Sequence, residues 1–329
     1  MRRALFLLIL FLPIQAFSLL WRTHLGDHPV YCMPRDWEGK IVLVSLSRFY
    51  ILDQKDGRPV WEYRFRGTEL MGFGFRDGLL VVPTIQGFLY LFNLATGKNI
   101  SMKLKGEFFS LPLIFGPYII LGDTSGELYK IDGKRGRVMW ETPLKGPIYT
   151  PPVEFNGNIY AGDIRGHFFS LSPGGRITCS FSTHRPGMEG PVVWQNRIAF
   201  VSRKTLYVMN PENCRPLWKV KFPVPVVSPP FPRGDRISVC SGREAFLLDR
   251  DGKTVWIFRA RSRIVAEPYL SKQEVYLVDS DGNLYRLDSE TGKLKDFYSL
   301  KAHSYCSPLV LKDKIILADM KGEVVALSK

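Results

Sequence analysis

Several stretches of the chain carry residue types that could do chemistry. GDTSGELYKIDGKRGRVMW, Gly122–Trp140, places two glycine turns around an apolar run that ends in an aromatic. A glycine loop can cradle phosphate when it leads from a strand into a helix. The glycines of GKRGR lead into another strand-like run, so that context is missing. DSDGN, Asp279–Asn283, opens like a calcium loop, and Glu290 stands at its twelfth position. A strand-like run, Leu284–Leu287, interrupts that loop, and sister stretches read GDTSGE and GDIRGH. A hairpin turn is the expected structure.

The five histidines, His24, His28, His167, His184 and His303, are scattered and build no Ser-His-Asp or Cys-His arrangement. Five cysteines, Cys32, Cys179, Cys214, Cys240 and Cys306, are few and odd in number for a disulfide-built scaffold. His28 and Cys32 near one end hold nearly the same relation to the pattern described below as His303 and Cys306 near the other. A Cys32–Cys306 disulfide, a zinc site of two histidines and two cysteines, and two buried thiols are all compatible with that placement. No residue is assigned a catalytic, cofactor-binding or metal-binding role. The chain is expected not to be an enzyme and to carry no cofactor.

The elements that must position any site follow from an internal repeat. RFYILDQKDGRPVWEY, GFLYLFNLATGKNISM, GELYKIDGKRGRVMWE, GHFFSLSPGGRITCSF, KTLYVMNPENCRPLWK, REAFLLDRDGKTVWIF and GNLYRLDSETGKLKDF recur along the chain. The final GEVVALSK is half of the same unit. Trp61, Trp140, Trp218 and Trp256 form one column, with Ser101, Cys179 and Asp296 where tryptophan is missing. The period is about 39 residues. One step back from Trp61 reaches Trp21, so the missing half of the last repeat lies at the N-terminus and the count is eight.

Each repeat reads as four short strands, such as YTPPVEF, NIYAGD, HFFSLS and ITCSF. Alternating apolar runs bounded by Gly, Asn and Asp are the hairpin signature. Four-stranded units repeated radially form a β-propeller. The expected fold is all-β: an eight-bladed propeller of four-stranded antiparallel blades, with Leu19–Leu25 supplying the outer strand of the last one. The structural tryptophans Trp21, Trp61, Trp140, Trp218 and Trp256 are expected to pack between blades.

Composition agrees with an ordered, strand-rich protein: 45% of the 329 residues are apolar and 13% aromatic. The N-terminus, MRRALFLLILFLPIQAFSLLWR, has a basic start, an apolar run and small residues near Ala16. This is the pattern of a secretory leader, so residues 1–17 are read as a signal peptide and 18–329 as the propeller. The net charge is +14. A basic exported protein is expected to meet anionic lipid surfaces or an acidic partner, and nucleic acid is not expected.

The blade motif, G-x-L-Y-x-L-D-x-x-T-G-K-x-x-W, resembles that of pyrroloquinoline-quinone-type (PQQ-type) repeats. In length, export signal, eight repeats and N-terminal closing strand the chain is similar to the outer membrane protein assembly factor BamB family. That resemblance implies a non-catalytic periplasmic scaffold, associated with the outer membrane, that assists assembly of outer membrane β-barrels. It implies the barrel-insertase subunit as a protein partner and a monomeric propeller. The alternative on this fold is a quinone-binding oxidoreductase or another exported redox or sensor propeller. Quinoprotein dehydrogenases carry a vicinal cysteine pair and long insertions between blades, and this chain has neither. A lipid-anchored member would need a cysteine directly after cleavage, and the first cysteine is Cys32.

By repeat position, the partner loops that the resemblance implies are Leu144–Thr150 and Met209–Arg215, with Lys145, Ile148, Tyr149, Asn210 and Glu212 as contact residues. Arg259, Arg261 and Arg263 are added from a basic rim that also includes Arg64, Arg66, Lys103, Lys105, Lys219 and Lys221. Lysine on an exposed edge strand also discourages sheet-to-sheet pairing, which accounts for part of that rim.

Overall fold

The computed structural model describes residues 17–329 except Asp27 and Cys32. Residues 1–16 of the expected signal peptide lie outside the described residues. The described chain is an eight-bladed antiparallel propeller with no helix. Seven blades follow one another, and the eighth is shared between the chain ends. Its inner three strands are Leu309–Val310, Lys314–Ala318 and Glu323–Ser328, and its outer strand is Leu19–His24. The closing register pairs Leu19 with Leu327, Trp21 with Ala326 and His24 with Glu323, with a bulge after Leu19.

Blade 3 shows how sequence becomes blade. Leu113–Phe115 is the inner strand, followed by Tyr118–Gly122, Glu127–Asp132 and Arg137–Pro143. The second and third strands are buried on both faces between neighbouring blades, so they read as near-continuous apolar runs. The outer strand alternates exposed and half-buried residues because only one of its faces is covered. Inner strands are shorter than their sequence suggests. In blade 4 the strand is Val153–Phe155, not the full YTPPVEF, because Pro151 and Pro152 have no N–H to give a ladder.

Blade 1 departs from the pattern. One 14-residue strand, Lys40–Asp53, occupies the place of two. Gln54 N donates to Gly39 O at 3.1 Å, so the strand doubles back. The reversal falls at Leu46, which has a φ of 50°.

The tryptophan column works as a dock. Trp21, Trp140 and Trp256 donate Nε1 to Gln54 O, Pro173 O and Ser289 O in the next blade. A Cβ at Gly57, Gly175, Gly252 or Gly292 would lie within 3.0 Å of the preceding blade's tryptophan, and all four glycines have positive φ. Those glycines are therefore required twice, by the turn and by the indole above it. Trp61 packs against the cluster that holds Phe92 and Leu94 of blade 2 but lacks the glycine dock. Its ring packs edge-on against Phe49 of its own blade at 5.3 Å, and nothing lies within 4 Å of a Cβ at Gly97.

In blade 4, Cys179 stands in the tryptophan column, and in blade 5, Cys214 stands at the turn position with a φ of 55°. They form a disulfide with Cα atoms 5.8 Å apart. A covalent bond thus replaces the indole-on-glycine dock between these two blades. In the sequence, Cys32 and Cys306 are the pair that repeat position suggests, and Cys179 reads as a gap in the column. Cys32 lies outside the described residues. Cys306 is buried with its Sγ 3.0 Å from Val30 O. Cys240 is buried too, and burial pushes its thiol up to about 12, so it is not a nucleophile at neutral pH.

At another gap in the column, blade 7 presents Asp296 to the chain start. Phe17 N donates to Asp296 Oδ2 at 2.8 Å, and Arg286 lies over the Phe17 ring and 3.4 Å from the same carboxylate. Phe17, assigned by sequence to the leader, packs as part of the propeller.

Glu69 ends the outer strand of blade 1 and is buried. One carboxylate oxygen accepts from Gly72 N, and the other has no partner among the described residues. Burial lifts its carboxyl to about 7. The folded state holds this proton more tightly than the unfolded chain. Its stabilising effect is therefore full below the ordinary carboxylate range and is lost as pH rises through about 7. Glu69→Gln is expected to raise stability at pH 8 by on the order of 1–2 kcal/mol and to flatten the pH dependence of Tm between pH 5 and 8. Thermal melts across that range check it.

Candidate interaction face and axial cavity

Antiparallel blades sort their loops onto two faces. Links from an outer strand to the next inner strand emerge on one face, together with the turns between second and third strands. The other two classes of turn emerge opposite. The residues predicted to meet a partner therefore separate. Lys145, Ile148, Tyr149, Arg261 and Arg263 lie in inter-blade links, and Arg259 ends an outer strand at the same face. Asn210 and Glu212 lie in a third-to-fourth turn on the opposite face, where Asn210 Oδ1 accepts from Glu212 N. One partner surface does not contain both sets.

Ile148 is fully buried among core residues and fills the space beside Gly122, so it is a packing residue and not a contact. Lys145 is exposed, and its carbonyl accepts from Arg165 at 2.8 Å. Arg259, Arg261 and Arg263 are exposed. The Arg261 guanidinium lies 4.2 Å from the Phe297 ring centroid, which fixes its direction without neutralising it.

A further positive patch includes residues that sequence reading did not select. Arg185, Arg203, Lys204, Lys219 and Lys221 line a groove of about 500 Å³ on blade 5. None has an ion-pair partner among the described residues. Lys219 and Lys221 were legible as alternate positions on an outer strand. Arg185 comes from an inter-blade link and Arg203 and Lys204 from a second-to-third turn, so only the fold brings all five together.

The calcium-like stretch is a turn. Asp279 accepts from the N–H groups of Ser262, Asp281 and Asn283, from Asn283 Nδ2 and from the Tyr285 hydroxyl. No lone pair is left for a cation. Asp123 makes the same kind of turn in the Gly122–Trp140 stretch, accepting from Ser125 N, Glu127 N and the Tyr129 hydroxyl. No group of three or more metal-ligating side chains occurs among the described residues. His303 Nδ1 lies 3.0 Å from Ser280 O.

A cavity of about 230 Å³ lies on the propeller axis, open at the face of the inter-blade links. All eight blades contribute to it. Its charged residues are Arg35, Glu189 and Glu267. Burial and the neighbouring Glu267 lift the Glu189 carboxyl to about 7. Burial also raises that of Glu267, against the pull of Arg35. Pyrroloquinoline quinone is a tricarboxylate, and a site for it needs an excess of cations. One arginine against two glutamates does not fit that group.

The repeat and the ring it closes define a PQQ-type β-propeller. A family profile described as "Outer membrane protein assembly factor BamB" matches residues 239–329. The chain is similar to the outer membrane protein assembly factor BamB of Moranella endobia, 22% identical over 87% of this chain and 69% of that one. It is also similar to that of Burkholderia pseudomallei, 23% identical over 86% and 80% of the two chains. Among solved structures, BamB from Moraxella catarrhalis superposes with a TM-score of 0.81 at 14% identity, covering 95% of this chain and all of that one. The quinohemoprotein alcohol dehydrogenase ADHIIG from Pseudomonas putida superposes at 0.76 with 10% identity, covering 95% of this chain and 76% of that one. At such identities the structural likenesses speak for the fold.

Proposed function

We propose that this protein is a non-catalytic periplasmic scaffold that assists assembly of outer membrane β-barrel proteins through a protein partner, the barrel-insertase subunit. The carrying observation is its similarity to proteins named as outer membrane assembly factors across 86–87% of its own length. The even blades and the unsuitable charge of the axial cavity for a quinone support the same reading. The inter-blade face offers Lys145, Arg259, Arg261 and Arg263 to an acidic surface on that partner. The groove on blade 5 suits anionic lipid headgroups, which would hold a monomeric propeller close to the outer membrane.

Capture from an envelope extract tests this. The tagged protein is expected to retain the barrel-insertase subunit. Replacing Arg259, Arg261 and Arg263 together by Glu is expected to lower retention by about tenfold, with a weaker loss as salt is raised in the wild type. Retention of other proteins without that subunit defeats the proposal. Equal capture by the triple variant removes this face from it.

A further inference from the structure

The axial cavity is built from equivalent positions of the repeat, which makes its exceptions informative. At one position, about 39 residues apart along the chain, five blades carry Tyr31, Met71, Phe109, Tyr149 and Tyr305. Two more carry valine, and blade 5 carries Glu189. Two residues further in, the ring includes Met33, Phe73 and Leu111, and blade 7 substitutes Glu267. An apolar ring on an axis needs no carboxylate to close it. This one has two, at different depths.

Glu189 is held firmly. It lies in Met188–Trp194, a seven-residue inner strand where its sister blades have two or three, and pairs with Val201 ahead of a bulge. Neither the Glu189 nor the Glu267 carboxylate has a hydrogen-bond or ion-pair partner among the described residues. Arg35 is the cation facing them. Its Nε is buried without a partner, and its Nη1 lies 3.5 Å from Met33 Sδ. With both glutamates ionised and Arg35 charged, one negative charge in the cavity has no counter-charge. Met71, Tyr149 and Tyr305 are exposed at the mouth, and the Phe109 and Tyr149 rings lie 5.6 Å apart there. Aromatic faces attract cations, most strongly where water is excluded.

We propose that the axial cavity binds one monovalent organic cation, an alkylammonium whose apolar stem lies among the aromatic and methionine side chains while its head reaches Glu189 and Glu267. The source is a free amine or a lysine side chain of a peptide; both present this chemistry. The inference stands apart from the assembly role above, since it concerns the axis and not the basic surfaces.

Calorimetric titration of the full chain at pH 8 and low salt tests it, with n-butylammonium chloride as probe and n-butanol as the uncharged control. The amine is expected to bind and the alcohol not. Glu189→Gln and Glu267→Gln are each expected to weaken the amine by about tenfold or more, since either leaves the cavity without net negative charge. N-acetyl-lysine amide separates the sources: tighter binding than n-butylammonium indicates a peptide, weaker binding a free amine. Lowering the pH to 6 protonates Glu189, whose neighbours in the cavity are Arg35 and the Glu267 carboxyl, itself raised by burial, and is expected to weaken the amine in the wild type. That wild-type comparison carries the test if a glutamine variant does not fold. Equal binding of the alcohol, displacement of the amine by calcium at equal concentration, unchanged affinity in Glu189→Gln, or no amine binding overturns the proposal.

Discussion

A chain lacking residues 17–24 is expected to lose cooperative unfolding, with a stability deficit of at least about 5 kcal/mol. These eight residues bind three blades together. The outer strand pairs with Glu323–Ser328 in the closing blade. Trp21 is buried and donates Nε1 to Gln54 O at 3.1 Å in blade 1, where Thr23 also donates its hydroxyl to Gly57 O at 2.7 Å. Phe17 N reaches back to Asp296 in blade 7. Loss of a buried tryptophan alone costs about 3–5 kcal/mol, and the ladder adds to it. The uncovered Glu323–Ser328 edge would then offer unpaired backbone groups to other chains. Urea titration followed by near-ultraviolet circular dichroism checks the stability, and light scattering checks the association. A truncated chain that melts within a few degrees of the full one would show that the ring closes without this strand.

Breaking the Cys179–Cys214 disulfide is expected to destabilise the protein by roughly 3 kcal/mol, seen as a lower Tm in reductant or in the Cys179→Ser/Cys214→Ser variant. The bond spans a sequence separation of 35 residues and joins two blades that lack the indole dock. The double variant Cys179→Trp/Cys214→Gly tests the reason. It rebuilds the arrangement of Trp140 over Gly175 and Trp256 over Gly292 at the same repeat positions. It is expected to recover most of the lost stability and to be indifferent to reductant. If it is no more stable than the double serine variant, the dock and the disulfide are not interchangeable parts.

The ring of eight was legible because its signals are local and repeated. Positive-φ turn glycines, apolar runs and the tryptophan column recur at one period, and Trp21 shows where the last unit ends. The disulfide was half visible. Cys179 occupies the tryptophan place and Cys214 the glycine place, but their proximity follows only once that tryptophan is known to dock on the next blade's turn. Ile148 looked like a contact residue because it lies in a loop, yet its side chain turns into the core beside Gly122. Asn210 and Glu212 were grouped with Lys145 by resemblance, and strand direction puts them on opposite faces. The axial cavity could not be read from any one segment, because each blade contributes only a few of its side chains.

The pairing of Leu19 with Leu327 also has a consequence for the order in which the molecule is made. A chain emerging from its N-terminus presents the closing strand first and that strand's partner last. Seven blades can assemble in sequence from neighbours in the chain, each needing only what has already emerged. The eighth waits for the final residues. Through all of that interval, Leu19–His24 has no strand partner and can be held only by Trp21 and Thr23 against blade 1, and the newest blade always has an open neighbour. Completion is a single late event involving both termini, so loss of the last few residues would leave seven correct blades and no ring.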